Sequence, residues 1–280
     1  VLERRQIQRV VHLALDEDAP FGDLTSQTLV PESAVADARL VAREPGVFAG
    51  GEVYAIAMST IDPSVTVVLQ IDDGDAFAAG DVLATVRGPA RAVLQAERVA
   101  LNLVQRMCGV ATLTASYVAA VGDHPVRVVD TRKTTPGLRA LERHAVRCGG
   151  GHNHRHSLSD AVMAKDNHLA VMGDVTAALR HAVTQLPHTT HIEVEVDRLE
   201  QLPAVLQSGA ADTIMLDNFT LDDLREGVAL IDGHALVEAS GGVTLETIGD
   251  IAATGVDIIS VGALTHSVRA LDLGLDIALS

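Results

Sequence analysis

The 280-residue sequence has no tryptophan, and phenylalanine and tyrosine together make up 2% of it. Ring packing therefore cannot build the core. Val, Leu, Ile and Ala must fill it, and the 48% hydrophobic content supplies them. Cysteine occurs twice, as Cys108 and Cys148, both in apolar or small-residue settings. That excludes a disulfide framework and reads as two buried free thiols. No apolar run is long enough to cross a bilayer; the longest uncharged stretch, 107–122, carries Thr112, Thr114 and Ser116. No signal-peptide pattern opens the chain, so a cytoplasmic location is expected. No G-x-G-x-x-G follows a strand-like run, which weakens a dinucleotide-binding reading. Lysine is almost absent: Lys133 and Lys165 stand against nineteen arginines.

The net charge is −16. A surface this acidic argues against non-specific binding to nucleic acid or to an anionic membrane. Residues 127–165 depart from that balance. They hold eight basic residues (Arg127, Arg132, Lys133, Arg139, Arg143, Arg147, Arg155, Lys165) and three acidic ones (Asp130, Glu142, Asp160). A positive island in an acidic chain suggests an anion site. Both lysines fall inside it. An arginine-favouring genome accounts for their scarcity but not for their clustering, so a compact ammonium is wanted there.

The length allows one large α/β domain or a barrel with an appended domain. Leu2, Ile7, Val10, Val11 and Leu13 recur at near-helical spacing and end at Asp16-Glu17-Asp18. Residues 34–86 read as short strands, with Ala38–Ala42 and Val65–Ile71 β-rich and Asp72-Asp73-Gly74-Asp75 a turn. A helix is predicted over 90–106. From 126 onward strand-like runs alternate with helical ones. The strands are Val126–Asp130, Ala161–Lys165, His191–Val196, Thr213–Asp217, Leu236–Ser240 and Ile258–Gly262. Such alternation implies parallel strands with helical crossovers, and six strands in about 140 residues suggest a complete or nearly complete barrel. The expected domains are 1–99, joined by the C-terminal segment 267–280, and a barrel over 100–266.

Barrel enzymes carry their chemistry at the C-terminal ends of the strands. A polar strand end is common, because loops begin there, but six in succession with these charges carry more weight. The ends read Asp130-Thr131-Arg132-Lys133, Lys165-Asp166-Asn167-His168, Asp217-Asn218, Ser240-Gly241-Gly242 and Val261-Gly262-Ala263, and the third strand carries Glu193 and Glu195 on one face. The two late glycine loops suit phosphate, the first before a helix starting near Thr244, the second before His266 and a last helix. Glu195 and Asp217 suit ribose hydroxyls or Mg²⁺ held by phosphates. Glu193 reads equally as a buried carboxylate paired with an arginine, and spacing does not separate it from Glu195. His152, His154 and His156 alternate behind Gly149-Gly150-Gly151. Zinc is the sharp reading, although no further Cys or His partner is nearby. Histidine and arginine donors to a carboxylate are the plainer one.

Several of these motifs together resemble the quinolinate phosphoribosyltransferase family. They are Thr131-Arg132-Lys133-Thr134-Thr135-Pro136-Gly137-Leu138-Arg139, Gly149-Gly150-Gly151, Asn153-His154-Arg155 and Lys165-Asp166-Asn167-His168. The likeness extends to Gly22-Asp23-Leu24-Thr25, Ala96-Glu97-Arg98, Glu193-Val194-Glu195-Val196, Leu216-Asp217-Asn218-Phe219, Ser240-Gly241-Gly242 and Val261-Gly262-Ala263-Leu264-Thr265-His266, so it covers nearly the whole chain. The resemblance implies an N-terminal α/β sandwich and an incomplete (β/α) barrel. It implies conversion of quinolinate and phosphoribosyl pyrophosphate to nicotinate mononucleotide, pyrophosphate and CO2, with Mg²⁺. It also implies a dimer or hexamer whose active site is shared between subunits. Arg132, His154, Arg155 and Lys165 match the residues that hold quinolinate, with Arg98 reaching in from a neighbouring subunit. Lys133, Glu195 and Asp217 match catalytic residues that also hold phosphoribosyl pyrophosphate, together with Ser240, Gly241, Gly242, Val261, Gly262, Ala263 and His266. Glu195 rather than Glu193 thereby goes to the sugar. His152 and His156 fall outside the family pattern. Lys133, next to Arg132, should face the other way if the strand persists.

Three rival readings remain. A nicotinate-specific or molybdenum-operon relative of the same fold would share the phosphate loops. A Schiff-base aldolase would use Lys165 as its amine. A metal-binding module would centre on His152, His154 and His156.

Overall fold

A computed structural model of the chain describes residues 2–279. In chain order the elements are α1 (Arg4–Asp18), α2 (Leu24–Leu29), β1 (Val35–Ala42), β2 (Gly46–Val47), α3 (Gly51–Thr60), β3 (Thr66–Leu69), β4 (Ala76–Phe77), β5 (Val82–Pro89) and α4 (Ala90–Ala120). They continue with β6 (Arg127–Val129), α5 (Arg139–Cys148), β7 (Val162–Ala164), α6 (Asp166–Met172), α7 (Val175–Gln185), β8 (Ile192–Val196), α8 (Leu202–Ser208) and β9 (Thr213–Asp217). The last are α9 (Leu221–Ile231), β10 (Leu236–Ser240), α10 (Ile248–Ala252), β11 (Ile258–Ser260), α11 (Ala263–His266) and β12 (Leu273–Leu279). Among the described residues no helix is long and apolar enough to cross a membrane.

The chain divides into two compact units, one of residues up to 115, 134–150 and from 264 onward, the other of 116–133 and 151–263. The sequence reading placed one border near 99 and returned only 267–280 to the first unit. The contacts also return 134–150.

The first unit is built on an antiparallel sheet in the order β12-β1-β5-β3. β12 pairs with β1 from Ala36↔Leu279 to Ala42↔Leu273, so the C-terminus supplies an edge strand. Helix α1 buries Ile7, Val11 and Leu15, one residue per turn, and Gln6 Oε1 accepts the Glu3 N–H at 3.1 Å to close its first turn. Helix α4 runs to Ala120, well past the predicted end at 106. Beyond Arg106 it has no charges, and Met107, Cys108, Val110, Ala111 and Thr114 are all buried. From 107 to 111 every residue is buried, so no amphipathic period shows there and the sequence pattern stops before the helix does. Gly109 lies on this stretch because a Cβ there would stand 2.2 Å from the Arg269 carbonyl oxygen. Helix α5 went unpredicted for a related reason: its buried face, Leu141, Ala145 and Val146, also contains Glu142. Glu142 accepts from Arg106 Nε at 3.1 Å and Nη2 at 2.9 Å, and from Thr135 N–H at 3.0 Å. The two cysteines are free, and burial pushes each thiol up to about 12.

The second unit is a parallel sheet in the order β6-β11-β10-β9-β8-β7. Each strand after β7 lies beside its predecessor, and β6 closes up against β11. That is a barrel's cyclic order, without the reversal of a doubly wound sheet. The ring stays open between β6 and β7, where His152 makes only an isolated bridge to Val129. All six predicted strands are present. Alternation gives each strand two faces. Leu216 faces the helical layer, since a Cβ on Gly227 of α9 would meet Leu216 Cδ1 at 2.7 Å. The opposite face carries Glu193, Glu195, Met215, Asp217, Glu238 and Ser240 in register, with Glu195 and Glu238 both beside Met215.

Candidate active site

A cleft of about 420 Å³ opens at the C-terminal ends of the second unit's strands. Thr131, Arg132 and Lys133 follow β6, and His154 and Arg155 follow the His152 bridge. Met163 and Lys165 come from β7 and its end, Glu195 from β8, Met215 and Asp217 from β9, Ser240 from β10 and Ser260 from β11. Lys133 shares this cleft with Arg132. Strand β6 stops at Val129, so the alternation that would turn the two side chains apart does not reach them.

Asp130 anchors the entry to the site. It is fully buried, and its carboxylate accepts from Asn153 Nδ2 at 2.6 Å and from the His154 N–H at 2.8 Å. The Asn153-His154-Arg155 motif is thus fastened to the end of β6. Gly149 precedes it for packing: a Cβ there would stand 2.3 Å from the Ala111 carbonyl oxygen. Gly149 is thus a close-approach position rather than part of the cleft lining, and Gly150 turns the chain at φ of 83°.

The cations are crowded. Arg155 is lowered by its burial and then by the neighbouring Arg132. Its Nη1 donates to the Ala161 carbonyl at 3.1 Å. Holding two guanidiniums together costs energy unless an anion joins them. Lys165 Nζ is ion-paired with Glu195 Oε2. Thus one expected quinolinate ligand and one expected sugar ligand meet directly. Asp217 accepts from Asn218 Nδ2 at 2.8 Å. Asn218 has φ of 60° and packs on Gly241. A Cβ on Gly241, at φ of 93°, would stand 2.2 Å from Asn218 Oδ1, so glycine is required there.

His154 contacts Glu193 and Glu238 at the bottom of the cleft, its Nε2 lying 3.1 Å and 3.5 Å from their Oε2 atoms. Glu193 is therefore buried against a histidine, not against an arginine as the sequence suggested. Burial pushes His154 down and the two carboxylates push it up, favouring a proton on the ring nitrogen that faces them. Glu193 is raised, chiefly by burial. The backbone decides which ring nitrogen carries the proton. Arg155 N–H donates to His154 Nδ1 at 2.7 Å, and that contact needs a lone pair there. The ring proton therefore sits on Nε2, toward the two carboxylates.

Other expectations changed. His152, His154 and His156 form no metal-type cluster among the described residues; His154 groups with Glu193 and Glu238 instead. Of the two late loops, Ser240 lines the cleft, while Gly241, Gly242, Val261, Gly262 and Ala263 are outside that lining among the described residues. The helix expected near Thr244 begins at Ile248, after a turn in which Thr247 N–H donates to the Thr244 carbonyl. The last helix is the single turn α11. Arg98, exposed on α4, and His266, exposed on α11, belong to the first unit. Sequence reasoning gave Asp130 only as part of a strand end, with no role, and missed Met163, Met215, Glu238 and Ser260. Glu238 had a signal: it precedes Ser240 by two residues, as Glu193 precedes Glu195.

Residues 23–108 match the family described as quinolinate phosphoribosyl transferase, N-terminal domain, and residues 110–276 match its C-terminal domain. The chain belongs to the quinolinate phosphoribosyltransferase family. It is 44% identical over 275 residues to the probable nicotinate-nucleotide pyrophosphorylase [carboxylating] of Bacillus subtilis, covering 98% of this chain and 94% of that protein. It is 45% identical over 273 residues to the nicotinate-nucleotide pyrophosphorylase [carboxylating] of Mycobacterium leprae, with 95% of each chain covered. The crystal structure of NadC from Streptococcus pyogenes superposes with a TM-score of 0.94 at 39% identity, covering 100% of this chain and 99% of that one. The family border, between 108 and 110, falls inside α4. The quinolinate phosphoribosyltransferase match thus spans both units, including the cleft.

Proposed function

We propose that this chain transfers the phosphoribosyl group of phosphoribosyl pyrophosphate to quinolinate. The products are nicotinate mononucleotide, pyrophosphate and CO2, in NAD biosynthesis. The bracketed word in the relatives' names describes the same reaction run backward. One observation carries the reading: Arg132, Lys133, Arg155 and Lys165 gather in one cleft, opposite the carboxylates of Glu195 and Asp217. A pyridine dicarboxylate needs several cations, and guanidiniums grip carboxylates in bidentate fashion.

Arg132, Arg155 and Lys165 hold the two carboxylates, and His154 serves the quinolinate site from beside them, through the Arg155 backbone. When they bind, Lys165 exchanges its Glu195 partner for substrate, which frees Glu195 for the ribose hydroxyls. The ring nitrogen of quinolinate forms a bond to the ribose anomeric carbon as the bond to pyrophosphate breaks. The nucleophile belongs to the substrate, so neither cysteine is needed. Lys133 stabilises the leaving negative charge, and Ser240 and the Gly241-Gly242 and Val261-Gly262-Ala263 backbones hold phosphate. The ring nitrogen is then quaternary, and its positive charge stabilises the electron pair left on the adjacent ring carbon as the carboxylate departs as CO2; a proton then bonds to that carbon. Glu195 and Asp217 offer the hard oxygen donors that suit Mg²⁺ alongside substrate phosphates. Magnesium would neutralise pyrophosphate charge.

The enzyme works in the cytoplasm as a dimer or hexamer, and Arg98 of a neighbouring subunit completes the quinolinate site. A Schiff-base aldolase fits less well, because the Lys165 side chain is 43% exposed and ion-paired rather than set in a dry pocket. Nucleotide formation from quinolinate and from nicotinate, assayed side by side with phosphoribosyl pyrophosphate and Mg²⁺, tests the reading. Turnover of quinolinate is expected; turnover of nicotinate alone sinks it.

A further inference from the structure

Glu193 and Glu238 lie one layer beneath the cleft lining, two residues before Glu195 on β8 and Ser240 on β10. They are 4% and 2% exposed, and Oε1 of each has no hydrogen-bond partner among the described residues. Two carboxylates buried side by side are expensive, and apolar side chains would fill this layer at lower cost. Their common contact is His154 Nε2, 3.1 Å from Glu193 and 3.5 Å from Glu238. They offer it acceptors only from below. The other ring nitrogen, Nδ1, accepts the Arg155 N–H at 2.7 Å. Both contacts hold together in one tautomer alone, with the proton on Nε2 and the lone pair on Nδ1. In the reverse tautomer two N–H groups would collide at Nδ1, and Nε2 would present a lone pair to carboxylate oxygens. From its pinned backbone, the Arg155 side chain reaches the Ala161 carbonyl.

We propose that Glu193 and Glu238 are positioning residues for the reaction: they fix the Nε2–H tautomer of His154, whose Nδ1 pins the Arg155 backbone and so sets where the Arg155 guanidinium meets the substrate carboxylate. Neither glutamate touches substrate. The inference takes its substrate from the quinolinate reading above, but the hydrogen-bond chain stands without it. It also explains why the layer carries acids: over an apolar floor the Arg155 N–H alone would oppose the reverse tautomer.

The test is histidine ¹⁵N NMR of the full-length enzyme, combined with steady-state kinetics of Glu193→Leu and Glu193→Gln. In the parent, His154 should show a protonated Nε2 and a bare Nδ1. Glu193→Leu should mix the tautomers and raise KM for quinolinate at least tenfold, with KM for phosphoribosyl pyrophosphate moving less than twofold. Glu193→Gln keeps a carbonyl acceptor under Nε2, so it should restore the tautomer and most of the affinity. A merely structural role would move both KM values together and would gain nothing from glutamine. If Glu193→Leu does not fold, Glu238→Leu carries the kinetic comparison. A parent ring protonated at Nδ1 overturns the proposal, as does a folded leucine variant with the parent tautomer and parent KM. Failure of the parent to convert quinolinate would instead remove the substrate reading and leave the tautomer result to stand or fall alone.

Discussion

Replacing Asp130 with alanine should cost the enzyme both stability and quinolinate affinity. Asp130 is 0% exposed, and two of its partners are the Asn153 amide at 2.6 Å and the His154 N–H at 2.8 Å. A hydrogen bond to a charged acceptor contributes about 1.5–3 kcal/mol, and removing the acceptor leaves buried donors unsatisfied. The combined loss is about 3–5 kcal/mol. For a chain of this size roughly 2–4 °C of melting temperature corresponds to 1 kcal/mol, so Asp130→Ala should melt about 6–20 °C lower. Asp130→Asn keeps the shape and one acceptor and should lose only about 1–2 kcal/mol. Below the melting range the alanine variant should show a raised KM for quinolinate, because the segment bearing His154 and Arg155 is no longer fastened to β6. Calorimetry and initial-rate kinetics on the same preparations read both effects. An alanine variant that melts within 2 °C of the parent and binds quinolinate equally well would refute the anchoring role.

Arg98→Ala and Arg132→Ala chains should each be inactive as quinolinate enzymes, and mixing them should restore part of the activity, because some mixed sites carry both arginines. Failure to complement in a demonstrated mixed oligomer counts against a shared site. Gly241→Ala should raise KM for phosphoribosyl pyrophosphate, since φ is 93° and the new Cβ would stand 2.2 Å from Asn218 Oδ1. Strain of about 1–3 kcal/mol corresponds to roughly 5- to 150-fold, and an unchanged KM would show that the loop yields without cost. The Glu44 carboxyl is lowered from 4.5 to about 2, first by Arg269 and then by the Asp272 N–H. A depressed carboxyl stabilises the fold fully above about 4.5 and loses that contribution as pH falls through about 2. Glu44→Gln should therefore melt below the parent at pH 5 and converge with it near pH 2; a constant difference would exclude the pair as the cause.

The strands of the second unit were legible because alternation places apolar residues toward the helices and leaves polar ones for the cleft. Arg132, Lys133, Lys165, Glu195, Asp217 and Ser240 were legible as strand-end chemistry and Arg155 from the Asn153-His154-Arg155 motif, and the structure brings them into one cleft. What was not legible depended on depth or on backbone. Glu193 and Glu195 have the same spacing, and only packing shows one under His154 and the other against Lys165. Three alternate histidines suggested zinc because alternation presumed a strand, but only His152 makes a bridge. The middle of α4 was hidden by its own burial at 107–111, and Glu142 hid α5 by interrupting an apolar face.

A crystal structure with quinolinate bound tests the central claim most directly. The account predicts the pyridine dicarboxylate in the second unit's cleft, its carboxylates on Arg132, Arg155 and Lys165, with Lys165 released from Glu195 and the ring nitrogen turned toward Glu195 and Asp217. Quinolinate bound elsewhere, or bound in the cleft with the Lys165–Glu195 pair intact and the arginines unengaged, would contradict it.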